Sequence, residues 1–201
     1  MPLIRKPTDR PAPKKTESDD LLKGLADPDP DQRWTAAREA AQVVGGAAAL
    51  AMALPTENDP RVREAMFTAL ARIGTPETAA AVISLLRSDA ANLRTGALDT
   101  LRLMVSRMHD LLPKLLKDQD VDVRILSCEL GRSLPSPEAT SLMCAVLDND
   151  TDANVCAAAV DVLAEVGGTE ALPSLRACAL RFPATPFLAF AIKAAVDRLA
   201  S

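Results

Sequence analysis

The chain has 201 residues, a net charge of −4 and 48% apolar side chains, but aromatics make up only 2% and tyrosine is absent. The apolar mass is therefore Ala, Leu and Val, which suits thin layers of closely packed helices rather than a thick core. The charge is uneven: five basic residues against Asp9 give residues 1–15 a net of +4, which leaves an acidic body of −8 and argues against a phosphate backbone as the main partner.

Residues 1–18 hold Pro2, Pro7, Pro11 and Pro13 among charges and few apolar groups, and are expected to form a disordered, Pro-rich basic tail. From Asp19 onward a unit of about 30 residues recurs. Its mark is an apolar residue followed by arginine, in Val62-Arg63, Leu93-Arg94 and Val123-Arg124, with Gln32-Arg33 a weaker copy and Val155-Cys156 a copy without the arginine. An Asp- or Pro-bearing turn precedes each pair. Six helix pairs follow. The first helices lie near 19–26, 47–54, 76–87, 108–117, 137–147 and 169–181, and the second near 31–44, 60–73, 91–105, 121–133, 153–166 and 187–200.

The punctuation fits this phasing. Thr75-Pro76-Glu77 and Ser136-Pro137-Glu138 read as capped helix starts, with proline where its missing N–H costs nothing. Gly45-Gly46, Gly74 and Gly167-Gly168 follow second helices, where a left-handed stop is expected. Counting from the arginine, the residues one before and two, three, six, seven and ten after form an apolar stripe. In the second unit these are Val62, Ala65, Met66, Ala69, Leu70 and Ile73, and in the fifth Val155, Ala158, Ala159, Val162, Leu163 and Val166. The exceptions, Gln32, Glu39 and Arg198, fall in the terminal units, where an outer side faces water.

The run from Asp59 to Gly74, reopening with Thr75-Pro76-Glu77, resembles the bacterial HEAT repeat of the phycobilisome-lyase-like class, as do Asp118 to Leu130 and Val155 to Gly167. The similarity covers most of residues 19–201 and implies an all-α, right-handed α-solenoid of about six HEAT-like helix pairs. It also implies that Arg33, Arg63, Arg94 and Arg124 form a structural ladder that ties neighbouring turns, with one tie lost at Cys156. The repeat serves many unrelated roles, so it does not specify function.

No complete catalytic constellation is present. Cys128, Cys144, Cys156 and Cys178 lack zinc-ligand spacing and read as small buried hydrophobes in a reducing, cytoplasmic setting. Asp148 to Asn154 imitates a calcium loop, but Ala153 and Ala159 stand where glycine and glutamate are needed, so the acids read as a turn and helix caps. His109 is the one histidine and Trp34 the one tryptophan, which leaves no set for a di-iron centre or a base-excision groove. No cofactor and no metal are expected. No apolar run is long enough for a membrane span, and the N-terminus has no signal core.

The solvent side of the second helices carries the functional expectation. Five positions after the arginine come Arg38, Thr68, Asp99, Glu129, Asp161 and Asp197, an acidic row over the last four, with Glu64, Arg72, Arg102, Ile125, Arg132 and Glu165 around it. The resemblance implies that these helices line a concave face. Glu64, Thr68, Asp99, Arg102, Ile125, Glu129, Arg132, Asp161 and Glu165 are the expected partner-binding residues of a non-catalytic scaffold or adaptor. Its partner is a protein with a basic patch, in bacterial signalling or complex assembly. The alternative that the resemblance implies is a subunit of a bilin-chromophore lyase acting on phycobiliproteins.

Overall fold

The computed structural model describes residues 15–105 and 110–200, with side chains from Asp20 onward. The first helix begins at Lys15, so the last residues of the expected tail are helical, while residues 1–14 and His109 lie outside the described residues. The described residues contain twelve α-helices and no strand. They divide into two compact units, Met1–Ile73 and Gly74–Ser201.

The first unit holds α1 (Lys15–Leu25), α2 (Pro30–Glu39), α3 (Gly46–Ala53) and α4 (Pro60–Ile73). The second helices α2 and α4 pack side by side, and α1 and α3 lie against them. The second unit holds α5 (Pro76–Leu85), α6 (Ala91–Val105), α7 (Leu111–Leu115), α8 (Val121–Leu130), α9 (Ser136–Asn149), α10 (Ala153–Val166), α11 (Leu172–Arg181) and α12 (Pro186–Leu199). Here α6, α8, α10 and α12 pack in succession, with α5, α9 and α11 on their partners. All six expected pairs are present. α7, which holds Pro113, has five residues, and α2 ends at Glu39 rather than near 44.

The predicted stripe is the core. Val62, Met66, Leu70, Val155, Val162 and Leu163 are fully buried, as are Leu101 and Leu130 at the equivalent positions of their units. Ile73, Ala158 and Val166 are only half-buried, and Gln32, Glu39 and Arg198 are exposed.

Helix starts follow one rule with local variation. Thr75 accepts the Thr78 N–H at 3.3 Å, as its sequence predicts. Ser136 does not cap; it is the first residue of α9, and its carbonyl accepts the Thr140 hydroxyl at 2.7 Å. Gly45 takes the expected left-handed stop, with φ 84°. Gly167 does not: at φ −70° it is extended. It is needed for space instead, because a Cβ there would meet the Leu163 carbonyl oxygen at 2.6 Å.

Leu163→Ala should cost about 2–5 kcal/mol, because the site is fully buried between α10 and its neighbours. Chemical denaturation measures the loss. Hydrogen exchange should place most of it in α8 to α12, and uniform deprotection of both units would contradict a stack held by nearest-neighbour contacts.

Candidate partner-binding faces and the arginine ladder

The turns before α2, α4, α8 and α10 are each built on two acceptors. The second acid caps the helix: Asp29, Asp59, Asp120 and Asp152 accept N–H groups of the first turns of α2, α4, α8 and α10. The first acid, two residues earlier, accepts the N–H of the second. Asp27 does so for Asp29, Glu57 for Asp59, Asp118 for Asp120 and Asp150 for Asp152, all at 2.8–2.9 Å. Ser88 plays this part before α6, accepting from Ala90. The calcium-loop imitation is thus such a turn.

The ladder arginines close this arrangement. Each one donates Nη1 to the carbonyl six residues before it: Arg33 to Asp27, Arg63 to Glu57, Arg94 to Ser88 and Arg124 to Asp118, all at 2.6–2.9 Å. Arg33 and Arg124 also reach forward to the next turn. Arg33 grips Glu57 with Nε at 2.7 Å and Nη2 at 3.0 Å. Arg124 grips Asp150 at 2.7 and 3.2 Å. Arg94 stops at the carbonyls of Ser88 and Asp89, and the Asp118 carboxylate is taken by Arg87 at 2.6 Å.

The tie expected to be missing at Cys156 is supplied from elsewhere. Arg181, at the end of α11, donates to the Asp148 and Asp150 carbonyls, both at 2.7 Å. Its Nη2 lies 3.8 Å from the Cys156 sulfur. The Cys156 thiol points at the same Asp150 carbonyl, 3.7 Å away. A cation therefore occupies the arginine's place although the sequence position holds a thiol. Burial pushes the Cys128 and Cys156 thiols up to about 12, so both are poor nucleophiles.

The expected acidic row of the second unit is paired internally by arginines. Glu129, Arg132, Asp161 and Glu165 come together in the second unit. Arg132, two residues past the end of α8, donates Nε to Glu129 at 2.9 Å and Nη2 to Asp161 at 2.7 Å, and pairs with Glu165. These bonds raise the Arg132 pKa, first through Glu129, so the knot stays charged. Arg132 is 21% exposed, whereas Asp161 is 71% and Glu165 60% exposed, so the acids keep a free side. Asp99 and Arg102 form a separate pair at 2.7 Å. Ile125 is half-buried and lines a different groove, with Arg94, Asp120 and Asp122.

Glu64 and Thr68 belong to the first unit and line a groove of about 290 Å³ with Trp34, Arg38, Arg61, Ala65, Ala69 and Arg72. Sequence reasoning omitted Trp34 and Arg38 from the site. The signal available was position: Trp34 is one residue after the ladder arginine, on the solvent side, and Arg38 is one helical turn further. A larger groove of about 580 Å³ lies in the second unit, between the end of α7 and α9. Pro113, Leu116, Leu142 and Val146 line it together with the Arg124–Asp150 pair. Among the described residues no His, Cys, Asp and Glu cluster could hold a metal ion, and no helix is long and apolar enough to cross a membrane.

A family model described as HEAT repeats matches residues 18–102 and 108–192. No curated protein matches by sequence. Among solved structures, the chain is similar to a designed armadillo repeat protein in complex with the peptide (KR)4, at 18% identity and TM-score 0.45, over 90% of this chain and 98% of that one. It is similar to an engineered protein at 20% identity and TM-score 0.41, over 90% and 96%. It also resembles the complex of CpcE and CpcF of phycocyanin lyase from Nostoc sp. PCC7120, at 15% identity and TM-score 0.38, over 98% and 100%.

The ladder gives two expected outcomes. Arg33's hydrogen bonds hold the Glu57 carboxyl below its ordinary 4.5, against the pull of burial and with help from the Asp59 N–H. A lowered folded pKa contributes stability that is present above the unfolded value and is lost as pH falls through the folded one. Arg33→Ala should therefore raise the Glu57 titration, followed by carboxyl NMR, and remove this part of the acid sensitivity. An unmoved titration would assign the shift to another group. Arg181→Ala and Arg124→Ala should each destabilise the second unit by about 1–3 kcal/mol, for carbonyls left without a donor, and so lower its melting temperature. An Arg181→Ala protein that melts like wild type would mean that the junction at Cys156 needs no cation.

Proposed function

We propose that this chain, which belongs to the HEAT repeat family, is a non-catalytic scaffold or adaptor. It binds a protein partner through the solvent side of its second helices. In the second unit that partner offers Lys or Arg. The supporting observation is the Arg132 knot: one cation, itself mostly covered, holds Glu129, Asp161 and Glu165 in fixed positions while two of them stay open to water. Acceptors fixed before binding lose little side-chain entropy on meeting a basic group. Asp99 and Asp197 are exposed on the neighbouring second helices α6 and α12. The face carries five carboxylates against Arg102, Arg132, Lys193 and Arg198, so it remains acidic after its internal pairing.

Four free cysteines suit a reducing, cytoplasmic setting, and bacterial signalling or complex assembly is the setting the sequence resemblance favours.

A capped octapeptide of alternating Lys and Leu, titrated against the full chain, tests this reading. Its affinity should fall with added salt. The triple variant Asp99→Lys, Asp161→Lys, Asp197→Lys should weaken it at least about tenfold, or 1.4 kcal/mol, with the melting temperature little changed because the positions are exposed. Arg132→Ala separates order from charge. It makes the face more negative but frees its acids. Preorganisation predicts weaker peptide binding, while a bare charge effect predicts tighter binding. Equal affinity for wild type and the triple variant would take the partner off this face.

A further inference from the structure

The groove between α2 and α4 carries the opposite charge from the face just described and lies in the other unit. It is lined by Trp34, Arg38, Arg61, Glu64, Thr68 and Arg72 over a floor of Ala65 and Ala69. The Arg38 guanidinium lies 4.5 Å from the centre of the Trp34 ring, and that of Arg61 lies 6.0 Å from it. Arg61 is already committed to Asp31 across the two helices. Arg38 and Arg72 are both exposed, and neither has a carboxylate partner among the described residues. Stacking on the ring orients the Arg38 fork without using its N–H donors.

We infer that this groove is a binding site for an acidic peptide segment of a protein partner: a Glu or Asp side chain is taken by Arg38 and Arg72, and an apolar neighbour rests against Trp34 and the alanine floor.

Three observations select this occupant. The volume, about 290 Å³, is at the lower limit of small-molecule pockets and admits one or two side chains. The available charge is small. With Arg61 neutralised by Asp31 and Glu64 in the lining, Arg38 and Arg72 leave a net of +1, which matches one carboxylate. A nucleic-acid backbone needs a track of cations, and neither this groove nor the acidic body provides one. Finally, the floor is apolar, since Ala65 and Ala69 belong to the buried stripe of α4.

This inference uses different helices and a ligand of opposite charge from the acidic-face proposal, so each can fail without the other. Trp34 is the chain's one tryptophan and tyrosine is absent, so intrinsic emission reports this groove directly. The probe is a capped octapeptide of alternating Glu and Leu, titrated into the full chain at low salt. A saturable change in Trp34 emission is expected. Arg38→Ala and Arg72→Ala should each weaken it at least about tenfold, and Arg72→Lys should retain most of it. Circular dichroism melts should show all three variants folded, because both arginines are exposed. The same peptide with Lys for Glu is the control for charge sign, and inorganic phosphate and a thymidine oligonucleotide are the competitors. The inference is overturned if the emission does not saturate, if the Lys peptide binds as well, or if Arg38→Ala and Arg72→Ala leave affinity unchanged. It is also overturned if phosphate or the oligonucleotide displaces the peptide at equal or lower concentration, which would make the groove a phosphate site.

Discussion

The turn before each second helix is the constraint on which the fold depends. A helix pair joined by a sharp turn exposes carbonyls at the end of one helix and N–H groups at the start of the next. Both sets lie close to the buried stripe, where an unmet polar group is costly. The chain meets the N–H groups with acids spaced two apart, as in Asp27-Pro28-Asp29 and Asp150-Thr151-Asp152. It meets the carbonyls with an arginine six residues further on. The same arginine can then reach the first acid of the following turn, as Arg33 and Arg124 do. A local requirement for capping thus becomes a bond between repeats.

The repeat, its phase and its core were legible because they rest on periodicity and punctuation. Both are properties of residues close in sequence. All six helix pairs could be read within a few residues, and Leu70, Leu101, Leu130 and Leu163 could be placed in the core. The misreadings have local causes. Ser136 looked like a cap, but Pro135 ahead of it lets the helix begin one residue earlier. Gly167 looked like a left-handed stop, but it serves a close approach to the Leu163 carbonyl. In both cases two physical needs select the same residue type, and composition cannot separate them.

The candidate faces were less legible because their chemistry depends on partners roughly one repeat away. A row of acids at one helical position reads as a uniform negative stripe. In the folded chain Arg132 collects acids separated from it by 29 and 33 residues. That changes what Asp161 and Glu165 offer from loose charge to positioned acceptors. Trp34 shows the converse. As a lone tryptophan it suggested nothing, yet Arg38 and Arg61 converge on its ring from two helices.

Arg181 and Cys156 show which part of the pattern is physical necessity. The sequence motif demands arginine as the fourth residue of the second helix. The structure demands a cation against the carbonyls of the turn and is indifferent to which helix provides it. Arg181 approaches from α11, so the start of α10 can hold a small thiol inside the core instead of a long side chain. The ladder is thus a set of sites rather than a set of residues. The solvent face of the second helices lies outside those sites: Asp161, Glu165, Arg38 and Arg72 bond to no ladder turn. That separation lets the charge beside the second helices differ between the units, basic around Trp34 and acidic around Arg132, while Arg33 and Arg124 make the same ladder bonds.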